Sequence, residues 1–264
     1  VQTLKILFIG DIVGRAGRRI LAERLDRLVD RHFIDLVVAN GENAAAGFGL
    51  TAAIARELFA SGVDVLTSGN HIWDKREIFD TLDREERLLR PANYPGKLPG
   101  RGAGVFTSAA GVKIAVVNLE GRVFMKNLDC PFRVGEALVK ELGAQTPIIL
   151  VDFHAEATSE KQALGHFLAG QVSAVVGTHT HVQTADEKIL AGHTGYLTDV
   201  GMTGSQDAVI GNLKEPALER FLTQLPVRLE AAKKDPLLCG VLLTVDEETG
   251  RCETIERIQV GLEG

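Results

Sequence analysis

Five short apolar runs in this chain each stop at a polar residue able to bind a ligand. "LKILFIG" (4–10) runs into Asp11, "IDLVVANG" (34–41) into Glu42 and Asn43, and "VDVLTSGN" (63–70) ends in Asn70 with His71 next. "PIILVDFH" (147–154) ends in His154, and "VSAVVGTH" (172–179) ends in His179, with His181 two residues on. Runs of this length bounded by turn residues read as strands buried on both faces. Helical patterns fall between them. One starts near Ala16 with Ile20, Leu21, Leu25, Leu28 and Val29 on one stripe, one covers Ala52–Ala60 behind a Thr51 cap, and one covers about Ser159–Leu168. Asp74 is positioned to cap a fourth, which carries Ile78, Phe79 and Leu82. Strands alternating with helices predict parallel βαβ units with right-handed crossovers.

The rest of the chain adds an antiparallel part. "RPANYPGKLPGRGAG" (90–104) is a Pro- and Gly-rich loop. "GVFTSA" and "VKIAVVNL" follow as a hairpin, and a second hairpin turns around Glu247–Gly250. The expected fold is α/β: a four-layer α/β/β/α sandwich of two stacked mixed sheets flanked by helices, formed by residues 1–264 as a single domain. Three cysteines in no regular spacing do not make a secreted disulfide framework. The N-terminal apolar run is too short for a signal peptide, and no stretch reaches membrane-spanning length. A cytoplasmic protein without a membrane partner is expected. A net charge of -6, from 29 basic and 35 acidic residues, argues against a partner as large as long nucleic acid.

Ligands of open α/β sheets collect outside the carboxyl ends of the strands. If the five strands lie side by side, their polar ends converge on one rim. Taken singly, each residue has an ordinary explanation: Asp11 as a turn residue, Asn43 as an Asx turn, His154 as a satisfied core histidine. His32, His166 and His193 fit helix or turn positions and are left there. His179 and His181 are two apart, so extended backbone would put both rings on one side. Asp11, Glu42, Asn43, Asn70, His154, His179 and His181 offer too many donors for one ion and suit two, with a carboxylate between them. No P-loop and no Gly-x-Ser-x-Gly elbow is present. No cysteine at the strand ends suggests a structural zinc site.

These motifs resemble the calcineurin-like metallophosphoesterases, whose ligands follow the same order of strand ends: Asp11, Glu42, "GNH" (69–71), His154 and "GTHTH" (177–181). Val13 stands where that superfamily usually has a first-motif histidine, and "GENAA" replaces its usual Gly-Asp-x-x-Asp. Those departures, with "GNHIWDKREIF", "RPANYP", "VNLEGRVFM" and "TDVGMTG", are similar to the YmdB-type branch. The resemblance implies a phosphodiesterase acting on 2',3'-cyclic nucleotides or related small phosphodiesters. It also implies two divalent metal ions, Fe or Mn, with Mg and Zn as alternatives. One ion would be held by Asp11, Glu42, Asn43 and His181, the other by Glu42, Asn70, His154 and His179, and Glu42 would bridge them. His71 would stand beside the ions as the general acid. Two rivals stay open: a dinuclear hydrolase of RNA or another substrate, and a non-enzymatic regulator that binds metal or nucleotide. Exposed apolar residues around "GRVFM" fit either a substrate cap or a homo-oligomer contact.

Overall fold

A computed structural model describes residues 2–262. β1 (Thr3–Ile9) and the two-residue β2 (Asp11–Ile12) lead into α1 (Gly14–His32). β3 (Leu36–Asn40), α2 (Ala52–Ala60), β4 (Val65–Thr67) and α3 (Ile78–Arg84) follow. Next come β5 (Ala103–Thr107), β6 (Lys113–Glu120), α4 (Pro131–Leu142), β7 (Ile149–His154), α5 (Thr158–Leu168) and β8 (Ala174–Thr178). Then come β9 (Lys188–Leu190), β10 (Thr194–Leu197), β11 (Met202–Ser205), α6 (Lys214–Thr223), β12 (Pro236–Asp246) and β13 (Cys252–Gly261).

Two mixed sheets result. The first runs β2-β11-β12-β1-β3-β4, with β13 also paired to β12; the second runs β5-β6-β7-β8-β10-β9. Parallel ladders join β1, β3 and β4 in the first sheet, and β6, β7, β8 and β10 in the second. Alternation along β1 shows why both faces had to be apolar. Leu7 and Ile9 pack under Ile20, Leu21 and Leu25 of α1 and Leu58 of α2. Leu4, Ile6 and Phe8 point the other way and meet Ile114, Val116, Leu150 and Val176 of the second sheet. The far side of that sheet, through Val117, Val151 and Phe153, is covered by Val139 of α4 and Leu164 and Leu168 of α5. Three cores between four layers make the α/β/β/α sandwich. Each fully buried Leu, Ile, Val or Phe contributes about 1.5–3 kcal/mol relative to exposure, which locks the two sheets in register.

The Thr51 cap is present, with Ile54 N–H donating to Thr51 Oγ1 at 3.2 Å. Asp74 is not a cap. α3 begins three residues later than that reading requires, behind Glu77, and the Asp74 carboxylate is drawn instead to the ring of His71. The pattern also leaves α4, α6 and the short β2–β11 ladder undetected. α6 carries little periodic apolar signal because it leans on the body through Ala217 and leaves Leu218, Phe221 and Leu222 exposed. In "GRVFM", Val123 and Phe124 are exposed. Among the described residues no helix is long and apolar enough to cross a membrane.

Candidate metal centre

The carboxyl ends of both sheets meet at one rim. Asp11 follows β1, Glu42 and Asn43 follow β3, and Asn70 follows β4, all from the first sheet. His154 ends β7, and His179 and His181 follow β8, all from the second. Asp11, Glu42 and His154 are fully buried.

His154 lies at the centre of the cluster. Thr178 Oγ1 donates to Asp152 Oδ1 at 2.8 Å, so it accepts from His154 Nδ1, 2.9 Å away. That contact leaves Nε2 as the ring's free atom. Three more ligand atoms surround it: Glu42 Oε1 at 3.0 Å, Asn70 Oδ1 at 3.0 Å and His179 Nδ1 at 3.1 Å. His179 Nε2 is 3.0 Å from Glu156 Oε2 and donates to it, so His179 Nδ1 also presents a lone pair. With His154 unprotonated at Nε2, four lone pairs converge, an arrangement that suits a cation. Gly69 allows this closeness. A Cβ there would stand 2.1 Å from the His154 ring, which only glycine avoids.

The electrostatics agree. Burial would raise the Glu42 carboxyl, but the neighbouring His154 and His71 pull it down to about 2. Burial opposes a charge on His154, yet Glu42, Asp11 and Asp152 raise it to about 10. Burial, reinforced by the charge on His154, lowers His179 to about 3 and keeps that ring neutral. Asp152 is raised to about 7 by its burial.

The second group is looser. His181 Nδ1 donates to the Ile210 carbonyl at 2.9 Å, which directs Nε2 toward Asn43 Nδ2 at 3.2 Å and Asp11 Oδ1 at 3.9 Å. Asn43 Nδ2 also donates to Glu42 Oε1 at 3.2 Å. Asp11 Oδ1 and Asn43 Oδ1 are buried without a hydrogen-bond partner. Burial pushes the Asp11 carboxyl up, against the pull of His181 and His154. Turning the Asn43 amide over would exchange its NH₂ for the orphaned oxygen and complete a second set of cation donors. Glu42, His154 and His179 thus form a group able to hold a metal ion, and Glu42 also adjoins the second set of donors.

One expectation fails here. His179 and His181 do not lie on extended backbone with their rings side by side. β8 ends at Thr178, and the two residues take φ values of 103° and 67°. Left-handed backbone is costly for a residue with a Cβ and concentrates at functional sites. Asp199 supports it: Thr180 N–H and Oγ1 both donate to Asp199 Oδ2, at 3.0 and 2.8 Å, and Lys161 Nζ binds the same oxygen at 2.7 Å. His179 N–H donates to Asp11 Oδ2 at 3.1 Å. The turn sends the two rings to different partners.

His71 stands beside the cluster. Its backbone N–H donates to Glu42 Oε2 at 2.9 Å, its Nδ1 lies 2.7 Å from Asp74 Oδ2, and the Phe48 ring packs edge-on at 5.1 Å. Together with Asn43, His179, His181 and Ile210, these two rings line an open cleft of about 250 Å³. All eight residues singled out from the sequence thus come together. Reading strand ends alone overlooks Thr178, Glu156, Asp199 and the orienting role of Asp74. Thr178 and Glu156 lie next to or two residues from a histidine, and that adjacency is the signal that could have found them.

A two-sheet sandwich with this cluster on its rim defines a metallophosphoesterase-type hydrolase fold. The chain belongs to the YmdB-like protein family, which it matches over residues 7–258. It is 49% identical over 257 residues to a 2',3'-cyclic-nucleotide 2'-phosphodiesterase of Bacillus subtilis, covering 97% of both chains. A putative phosphatase/phosphodiesterase of Mycoplasma genitalium is 32% identical, covering 100% of this chain and 95% of that one. Among solved structures, a hypothetical protein from Thermus thermophilus superposes with a TM-score of 0.91 at 42% identity, covering 98% of this chain and 99% of its own. A novel phosphatase from Mycoplasma pneumoniae superposes with a TM-score of 0.93 at 33% identity, covering 98% and 94%.

Proposed function

We propose that this chain, acting as one domain, is a dinuclear metal-dependent phosphodiesterase that hydrolyses 2',3'-cyclic nucleotides or closely related small phosphodiesters. The observation that carries the reading is the convergence of Glu42, Asn70 and His179 lone pairs within 3.0–3.1 Å of His154 Nε2. Those four residues would hold one ion; Asp11, Asn43 and His181, sharing Glu42, would hold the other. Fe or Mn is the pair the family resemblance implies, and mixed oxygen and imidazole donors also accept Zn or Mg. When bound, such ions supply hydroxide near neutral pH and neutralise charge on the phosphoryl oxygens.

The chain's own part is proton delivery and placement. A ribose oxygen leaves poorly as an alkoxide and needs a proton. Asp74 holds His71 Nδ1, so the opposite ring nitrogen, Nε2, is the one free to donate, and Phe48 fixes the ring's tilt. The cleft is sized for a phosphate and its sugar rather than for a folded polymer. A cytoplasmic location suits the three free cysteines, none of them in a disulfide.

The test is metal analysis of the purified protein together with a panel of phosphomonoesters, linear diesters and cyclic nucleotides. Two ions per chain and a preference for 2',3'-cyclic substrates are expected. Nanomolar nucleotide binding without turnover of any substrate would favour the regulator instead. His71→Ala should keep both ions and slow cyclic-nucleotide turnover by about 10²–10⁴. It should hurt less with a p-nitrophenyl ester, whose leaving group needs no proton. Metal loss, or an equal deficit on both substrates, would remove His71 from that role.

A further inference from the structure

A second, basic groove of about 360 Å³ adjoins the cleft and is unused by the chemistry above. It is lined by Arg15, Arg18, Arg228 and Lys233, with Glu230 as its one acid. Four cations to one carboxylate stand out in a chain of net charge -6. The loop after β3 is the partition between the two spaces. Gly47 and Phe48 line the cleft, and Ala46, one residue before, lines the groove. Arg18 stiffens that partition, donating from Nη1 to the Ala44 carbonyl at 2.7 Å and from Nε to Glu57 at 3.0 Å. Ala231 closes the segment that carries Arg228 and Lys233 against the same loop: a Cβ built on Gly47 would stand 3.4 Å from it, and one on Gly14 3.0 Å. Arg15, Arg228 and Lys233 are exposed and form no ion pair among the described residues.

A cyclic mononucleotide has one phosphate, and the cleft takes it. It has nothing left for three free cations next door. We propose that the substrate class of this site extends to short oligoribonucleotides ending in a 2',3'-cyclic phosphate, with the penultimate phosphodiester held in the basic groove. The proposal rests on the phosphodiesterase reading above. Phe48 and Ile210, exposed on the cleft rim, offer apolar faces to the terminal base.

The chemistry names the supplying reaction. In RNA cleavage by internal transesterification, the ribose 2'-oxygen forms a bond to phosphorus, the bond to the next 5'-oxygen breaks, and that oxygen takes a proton. The upstream fragment keeps a 2',3'-cyclic phosphate. Here water would add to phosphorus, one ring P–O bond would break, and the leaving ribose oxygen would take its proton from His71. The product is an oligonucleotide ending in a phosphomonoester.

The test compares kcat/KM for adenosine 2',3'-cyclic phosphate with that for the diadenosine carrying the same cyclic end. A third substrate has the internucleotide phosphate replaced by a neutral methylphosphonate. The charged dinucleotide should show a KM lower than the mononucleotide's by about three- to tenfold, and the advantage should fade with added salt. The methylphosphonate and the triple variant Arg15→Ala, Arg228→Ala, Lys233→Ala should each abolish it. That variant should leave the mononucleotide's kcat/KM unchanged, which also shows that it folds. Equal KM values, or an advantage that survives the neutral linkage, would overturn the groove while leaving the phosphodiesterase reading standing. No turnover of any of the three would overturn both.

Discussion

The two sheets bring unlike chemistry to their common rim. To the candidate ligand cluster the first contributes the oxygen-bearing side chains Asp11, Glu42, Asn43 and Asn70, with His71 standing beside them, and the second contributes the imidazoles of His154, His179 and His181. Each imidazole is aimed by a bond at its other nitrogen: Thr178 Oγ1 for His154, Glu156 for His179, and the Ile210 carbonyl for His181. The oxygen side is less complete, with Asp11 Oδ1 and Asn43 Oδ1 buried and unpartnered. The protein thus orients every imidazole, whereas two of the oxygens find no protein partner. Hydrogen bonds behind the ligands set their orientation and tune affinity.

If the oxygen side depends on the cation, the largest effect should come from its shared member. Glu42→Gln removes the one charge that touches both groups. Both ions should be lost, and phosphodiester turnover should fall by at least about 10³-fold; metal analysis and kcat/KM check this. Next in size is a contrast between histidines. His179→Ala opens the dense group, whose members lie 3.0–3.1 Å from His154 Nε2. His181→Ala opens the looser one, where Asp11 Oδ1 is 3.9 Å from the ring. By equilibrium dialysis, His179→Ala should lose one ion by more than about 100-fold in affinity, and His181→Ala should lose the other more mildly and recover activity in excess metal. The reverse order would mean that the His181 group, not the dense group around His154, is the tighter site.

The same contrast explains what was readable in the sequence. Buried strands announce themselves as apolar runs, and α/β sheets gather polar groups where those runs end, so the convergence of Asp11, Glu42, Asn70 and His154 on one rim is legible from pattern alone. The backbone at His179 and His181 was not. Nothing local in "THTH" signals left-handed φ, because the turn is imposed by Asp199, about 20 residues away, reaching Thr180. Asp74 misled for the opposite reason. Its place before an apolar helix is good capping chemistry, but a local partner three residues earlier, the His71 ring, takes its carboxylate instead. α6 carries no legible signal because its exposed leucines form no buried stripe.

A smaller effect should follow from loosening the joint between sheets without touching a ligand. Asn118 on β6 accepts from Ser68 N–H and donates to the Ser68 carbonyl, both at 3.0 Å, and Asn40 Nδ2 reaches Asp152 Oδ2 at 3.2 Å beside it. Asn118→Ala leaves the buried Ser68 N–H unpaired, at a cost of about 1–3 kcal/mol. Urea unfolding of the metal-free variant should show that loss, with a drop in metal affinity smaller than either histidine variant gives. If affinity falls as far as in His179→Ala, the sheets are not independent platforms for their donors.

The smallest effect concerns the proton on His154. His154 is buried, which opposes a charge, but Glu42 and Asp11 raise it from 6.5 to about 10. A raised folded value means that its stabilising effect is fully present below pH 6.5 and is lost as pH rises through about 10. Glu42 is the mirror case. Lowered from 4.5 to about 2 by His154 and His71 despite burial, it stabilises above pH 4.5 and stops doing so as pH falls through about 2. The metal-free protein should therefore lose stability, read as a falling Tm, between pH 6.5 and about 10 through His154. With metal bound, the proton is displaced by the cation, and the decline over the same range should be shallower. Scanning calorimetry with and without metal reads both slopes, and His154→Gln should flatten the metal-free one. A metal-free Tm that is already level across that range would mean that the oxygen side holds its charge without help from the imidazole side.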